Sequence, residues 1–430
     1  MYRLGLCALL LLVAAGLSPA LGQSAAPTSP PDSTLDAAPS PADPDPERRG
    51  PGWDDVRGTV SEHADDYVGA DDGHETPYRR ESDANRAAPP LRYNRVEGLV
   101  VGLQRDPLSP DSDDRTRVFG QAAYAFALRD LRYTVGVESR LYDTAPTSLT
   151  LGVQYHEQTL SPDRWKTSYL ENSLAGFGFE DDFFDYYEAE GLTVYATQTL
   201  PRTVQVTAGV RAETHRTLTR QTDWSVFESG TFRENPAATE GDLRALFGAV
   251  TAGEISDPGG LPSGAALRVA ATIADGLGGD FAFSRYEADA RGFLRLTPET
   301  RLGLRLRGGY ATSDAPPQSR FALGGVGSMR GYRQNQFRGT RMLLANAEYL
   351  IDGATVFEGV LDDLFLAGLV DAGWAGGPDT PFRVDDVLPS AGFGVGLDER
   401  KVRLDVVWPL RDGPTLRSGP SIRLRISPSF

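Results

Sequence analysis

Arg301-Leu302-Gly303-Leu304-Arg305-Leu306-Arg307 sets a leucine at every second position and arginine or glycine between them. A β-strand turns successive side chains to opposite faces, so this stretch reads as a strand with one apolar and one cationic face. The same two-residue period returns along the chain. Val402, Leu404, Val406 and Trp408 alternate with Lys401, Arg403 and Asp405, and Ile422, Leu424, Ile426 and Phe430 oppose Arg423 and Arg425. Upstream, Tyr286, Ala288, Ala290 and Leu294 oppose Arg285, Glu287, Asp289, Arg291 and Arg295.

A soluble β-sandwich also alternates, with its apolar face turned inward. Three features favour a transmembrane β-barrel instead. The alternating stretches run to about 11–14 residues, enough to cross a bilayer at a tilt. The polar face carries dense charge of both signs, as a water-facing lumen requires. Tyr310, Tyr349, Trp374 and Trp408 fall near strand ends, where interfacial girdles are expected. The fold class expected is therefore all-β, a transmembrane antiparallel β-barrel with a long loop folded into its lumen.

Strands are expected at 94–105, 116–128, 131–141, 147–158, 186–199, 202–217, 242–254, 265–277, 282–296, 299–312, 340–352, 361–375, 387–398, 401–410 and 419–430. A barrel with both ends on the periplasmic side needs an even number. Thr167–Phe177 is the candidate for the missing strand, bringing the expected count to sixteen.

Residues 1–22 read as a secretory signal, with Arg3 before the apolar run Leu4–Leu17 and small residues at Ala20 and Gly22. Residues 23–91, rich in Ala, Pro, Ser and Asp, bury too little apolar surface to offset their ordering entropy and read as a disordered acidic tail. The barrel is assigned to 92–430. The chain of 430 residues has net charge −16, which disfavours nucleic acid as a partner. Its one cysteine, Cys7, lies in the leader and rules out a disulfide framework. The 40% hydrophobic content suits a sheet with one face toward lipid and one toward water.

The loop Phe321-Ala-Leu-Gly-Gly-Val-Gly-Ser-Met-Arg-Gly-Tyr332 resembles the signature loop of the BamA/TamA outer-membrane superfamily, the bacterial surface antigen barrels. The matching residues are Gly324-Gly325 and Met329-Arg330-Gly331-Tyr332. Ala345-Asn-Ala-Glu348-Tyr349 and Leu369-Val-Asp371-Ala-Gly373-Trp374 resemble the family's next two strands, and Tyr93–Gly98 resembles the opening strand of relatives without POTRA domains. A long loop in a lumen would bury Arg330, which then needs partners. Glu348 and Asp371 lie on the next two strands, where one guanidinium can bridge both. Gly324, Gly325 and Gly331 are expected to adopt backbone conformations closed to other residues. The resemblance implies that Arg330 docks to Glu348 and Asp371. Phe430, a C-terminal aromatic on an alternating strand, resembles the recognition signal by which outer-membrane barrels are received by the assembly machinery.

The resemblance implies a role in outer-membrane protein assembly, insertion or translocation. A weakly paired seam between the first strand (Val96–Leu103) and the last (Ile422–Phe430) would open laterally and pair with a client strand. The expected partners are the bilayer, the assembly machinery during biogenesis, and client proteins. The alternative is a passive channel or structural surface barrel. No enzyme, cofactor or metal is expected: His156 and His215 lie on strands without a nucleophile motif nearby, and no Cys/His metal spacing occurs. Asp181–Tyr187 is expected at a solvated loop edge.

Overall fold

The computed structural model describes residues 88–108, 113–144, 147–201, 203–256, 262–352, 364–397, 402–411 and 419–426. The expected leader, most of the expected tail, Lys401 and Phe430 lie outside the described residues. One antiparallel sheet of 16 strands dominates. Its strands are β1 (Arg92–Asn94), β2 (Gly98–Arg105), β3 (Thr116–Ala125), β4 (Asp130–Thr144), β5 (Thr147–Leu160), β6 (Tyr187–Leu200), β7 (Val204–Thr217), β8 (Gly241–Ser256), β9 (Ser263–Ile273), β10 (Ser284–Thr297), β11 (Thr300–Ala311), β14 (Arg341–Asp352), β15 (Phe365–Gly376), β16 (Leu388–Leu397), β17 (Val402–Pro409) and β18 (Ser421–Ile426). Each pairs with its neighbour in chain order. Between β11 and β14 the short pair β12 (Phe321–Leu323) and β13 (Phe337–Gly339) forms its own two-stranded sheet. Among the described residues, β1 and β18 share no ladder.

Two strand expectations need correction. Thr167–Phe177 is not a strand: Tyr169–Phe179 forms a helix, α1. Its start is fixed by Ser168, whose hydroxyl accepts from the Glu171 N–H at 3.1 Å. The opening strand is split. Asn94 Oδ1 accepts from the N–H groups of Val96 and Glu97, and Gly98 at φ +66° completes the reversal into β2. A buried pair, Arg92 to Glu97 at 2.5 Å, locks this hairpin. The sixteen sheet strands thus include a three-residue β1 in place of the expected strand at Thr167.

The distribution of side chains is the inverse of a soluble core. On β11, Leu306 is 64% exposed and Arg305 is 1% exposed; near the C-terminus, Ile422 is 62% exposed and Arg403 fully buried. The sheet curls around these charges. The segment between β5 and β6 reaches β1, β11 and β18, as shown by contacts of Ser173 with Tyr93, Trp165 with Arg305 and Glu171 with Arg425. Connections alternate between two ends. Long segments (161–186, 218–240, 312–340) gather at one end, and tight turns such as 298–299 lie at the other. One buried apolar cluster lies around the 312–340 loop, where Phe321, Leu323, Met329 and Tyr332 pack with Met342 and Leu344, and a second gathers Tyr169, Phe183, Phe184 and Tyr186 with Val96 and Val326.

Two further expectations change here. Trp374 is buried against Phe382 rather than placed in an outer girdle, whereas Tyr310, Tyr349 and Trp408 are exposed. Ala88 is fully buried and its carbonyl accepts from Gln121 Nε2 at 2.7 Å, so packed chain begins before the expected end of the tail at residue 91.

Candidate functional site: a charge-locked interior and a helix at the seam

The 312–340 loop descends into the interior through a run of tight turns. Gly324 has φ +108°, and a Cβ there would come within 2.3 Å of the Arg333 carbonyl, so both conformation and space demand glycine. Gly325 also has positive φ. Gly331 does not: its requirement is a close approach, since a Cβ would meet Pro409 N and Ser390 Cβ at 2.8 Å each. The Tyr332 hydroxyl then donates to the Pro389 carbonyl at 2.8 Å, fastening the loop to the start of β16.

These turns deliver Arg330 between two strands. Its Nε donates to both Asp371 oxygens at 3.1 Å, Nη2 donates to Asp371 Oδ1 at 2.5 Å, and Nη1 donates to Glu348. The backbone N–H of Arg330 adds a bond to Asp371 Oδ2 at 2.9 Å. Asp371 is held from its other sides by Asn346 Nδ2 (2.8 Å) and Ser390 Oγ (3.1 Å). Glu348 also accepts from Arg403 Nη1 and Nη2 at 3.1 and 3.2 Å. Arg403 in turn pairs with Asp405 at 2.6 Å. A charge in this buried setting is tolerable only because each has a counter-ion and further hydrogen bonds.

A second layer lies on β10 and β11. Arg305 meets Asp289 through Nε at 3.0 Å and Nη2 at 2.5 Å, and Arg307 meets Asp289 at 2.7 Å and Glu287 at 2.6 Å. Trp165, from the 161–186 segment, lies under both guanidinium groups at 4.8 and 4.4 Å from its ring centre.

A third cluster joins the long loops to the opening hairpin. Lys166 donates to Asp163 at 2.7 Å and to Asn335, and Asn335 Nδ2 donates to Asp163 and Asp185 at 2.8 and 2.7 Å. Asp185 also receives Arg233 at 2.5 Å and Arg338. Burial pushes the Asp185 carboxyl up, but Arg233 and Arg338 overcome this and hold it well below the usual carboxylate range. Burial pushes the Lys166 ammonium down, with Asp163 opposing. Arg95 pairs with Asp182 at 2.9 Å and donates to the Phe184 carbonyl at 2.7 Å. The Asp181–Tyr187 segment, expected at a solvated edge, is therefore buried from Asp182 onward, because Arg95 supplies the partner that desolvated carboxylates require.

Helix α1 stands between the two sheet edges. Ser173 Oγ accepts from the Tyr93 N–H of β1 at 3.1 Å. On the other side, Glu171 accepts from the Ile426 N–H of β18 at 3.2 Å and from Arg425 Nη2 at 3.1 Å. Leu170, Leu174 and Phe177, spaced along one helical stripe, are exposed, whereas Glu171 and Asn172 are buried. Backbone bonds tie the end of α1 to the 218–240 loop: the Val226 and Phe227 N–H groups donate to Phe177 and Gly178 carbonyls at 2.9 and 3.1 Å.

Three carboxylates, Asp130, Glu157 and Glu188, lie close enough to ligate a cation. Arg132 already occupies that place, donating to them at 3.2, 3.1 and 2.8 Å. His156 and His215 both approach Glu213, at 3.6 and 3.2 Å.

Sequence reading anticipated neither the Lys166–Asp185 cluster nor the role of Arg403 and Glu171. One local signal was present: Ser168-Tyr-Leu-Glu171 has the Ser-x-x-Glu spacing of a helix start.

A protein family described as "Family of unknown function (DUF5686) C-terminal domain" matches residues 71–252. No curated protein matches the chain. Among solved structures, BamA from Haemophilus ducreyi lacking POTRA domains 1–3 superposes with a TM-score of 0.50 at 12% identity, covering 77% of this chain and 67% of that one. CdiB from Acinetobacter baumannii gives a TM-score of 0.43 at 13% identity, covering 72% of this chain and 53% of that one. CdiB from Escherichia coli gives 0.38 at 11%, covering 72% and 55%. This chain therefore spans about two thirds of the BamA structure and just over half of each CdiB. The BamA likeness shows a shared β-barrel fold.

Proposed function

We propose that the protein is a non-enzymatic outer-membrane β-barrel of the BamA/TamA type that takes part in the assembly, insertion or translocation of other outer-membrane proteins. The observation carrying the membrane reading is the inverted distribution of side chains: leucine, valine and isoleucine face outward along the strands, while paired arginines and carboxylates fill the interior. In water that outer surface would be an aggregation liability; in a bilayer it is the required one.

The assembly reading is supported by the edges. β18 and β1 are unpaired with each other among the described residues, and an open sheet edge is a template for an incoming strand. The bilayer, the barrel assembly machinery during biogenesis, and client barrels are the partners this reading names. Phe430 is assigned to recognition by that machinery.

A passive channel is the second reading, favoured by the charge of both signs on the inner face. The Arg330 loop and the Trp165 segment narrow the interior, and large steady conductance in planar bilayers would be the mark of a channel nonetheless. Depletion of the protein followed by quantitative outer-membrane proteomics tests the assembly role. Broad loss of other barrel proteins is the expected result; an unchanged set of barrels, with this protein gone, would sink it.

A further inference from the structure

We propose that helix α1 completes the wall: it stands in the seam between β1 and β18, turns Leu170, Leu174 and Phe177 to lipid, and seals both strand edges with its own side chains until a client strand displaces it. This rests on the membrane-barrel reading above and adds how the seam is held shut.

An exposed strand edge in hydrocarbon is prohibitive, because unpaired N–H groups there have no water to bond. Among the described residues the sheet's two edges share no ladder, so the edge donors there need other acceptors. α1 supplies one on each side. Ser173 Oγ takes the Tyr93 N–H at 3.1 Å, and the Glu171 carboxylate takes the Ile426 N–H at 3.2 Å. A helix satisfies its own backbone and can therefore stand in a bilayer wall where an irregular loop cannot.

The helix is oriented for this place. Its buried residues include Glu171, Asn172, Gly176 and Gly178, and its exposed stripe is wholly apolar. On the neighbouring β18, Ile422 and Leu424 are exposed as well. Glu171 is buried and is met by Arg425 from the last strand, so the seal is electrostatic as well as hydrogen-bonded. At the helix's far end Arg423 donates to Asp181 at 2.7 Å. At the C-terminal part of the helix the rings of Phe177 and Trp224 lie 5.1 Å apart and those of Phe179 and Phe227 5.3 Å apart.

The seal also defines how the seam would open. The N–H groups that a client strand would engage on β1 and β18 are those that Ser173 and Glu171 now occupy. Pairing with a client replaces two side-chain acceptors by a ladder, so departure of α1 and strand addition are alternatives at one site.

The test uses the full-length protein with Cys7→Ala, reconstituted in vesicles of brominated phosphatidylcholine. A bimane probe is attached at Leu174→Cys in α1 or at Leu424→Cys in β18. Both probes should lose most of their fluorescence. Quenching at 424 with none at 174 would overturn the wall position of α1 while leaving the barrel reading intact. Absence of quenching at both would remove the barrel reading and this inference together. In planar bilayers, Glu171→Ala should raise the frequency of transient openings roughly tenfold or more, as loss of a buried ion pair predicts. Glu171→Gln, which keeps an acceptor for Ile426, should fall between. Wild-type opening statistics in both variants would contradict the seal, and if Glu171→Ala fails to fold, the Leu174 probe still decides.

Discussion

Arg330→Ala removes the guanidinium that joins the interior loop to β14 and β15, and the expected cost follows from what remains. Breaking a buried ion pair by deleting one partner costs about 3–5 kcal/mol, because the other charge is left uncompensated. Here two carboxylates lose a partner, but neither is abandoned. Asp371 keeps Asn346, Ser390 and the backbone N–H of residue 330, and Glu348 keeps Arg403. The expected loss is therefore at the lower end, about 3 kcal/mol. The assay is urea unfolding of the protein in lipid vesicles, followed by heat-modifiable electrophoretic mobility. Asp371→Asn should restore part of the loss in the Arg330→Ala background, because the orphaned charge is the main penalty. Directly contacting residues show coupling of about 0.5–3 kcal/mol in such cycles. An unchanged midpoint for Arg330→Ala, or strictly additive effects of the two substitutions, would refute the assignment of Arg330 as the lock of the loop.

Two other outcomes are expected. Gly331→Ala should destabilise by about 1–3 kcal/mol through overpacking against Pro409 and Ser390, read by the same unfolding assay, although its backbone conformation is open to alanine. The Asp185 cluster should give an acid-dependent loss of stability. The folded-state carboxyl is held below its ordinary value, so its contribution is fully present above about pH 4 and disappears as pH falls through the lower folded value. Asp185→Asn should flatten that part of the stability–pH curve, and an unaltered acid limb would contradict the assignment.

The strands were legible because period-two alternation survives in both environments. β10, β11 and β14–β18 begin and end within a few residues of the positions read from sequence, where described. The Arg330 loop was also legible in outline, since the resemblance of Phe321–Tyr332 to a known signature loop singled out Arg330 ahead of strands carrying Glu348 and Asp371. Sequence spacing cannot report which carboxylates meet across the interior. Arg403 reaches Glu348 across 55 positions of chain, and Arg425 reaches Glu171 across 254. The region 160–186 misled for a physical reason. Parity demanded another strand, and the apolar stripe Leu170, Leu174 and Phe177 gave no two-residue period; its four- and three-residue spacing belongs to a helix, started by Ser168. Gly331 shows a similar gap, because the neighbour that forbids a side chain there, Pro409, is distant in sequence.

A membrane barrel requires that the leucine-rich face meets lipid. Spin labels at Leu304, Leu306, Leu404 and Leu424, with Val384 in the β15–β16 connection as the aqueous reference, measure this directly in vesicles. All five positions are exposed in the structure, so exposure alone cannot separate them. The four strand positions should collide more with oxygen than with a water-soluble nickel chelate, and Val384 should show the reverse. Nickel accessibility equal to that of Val384 at all four strand positions would contradict the membrane barrel and every functional statement built on it.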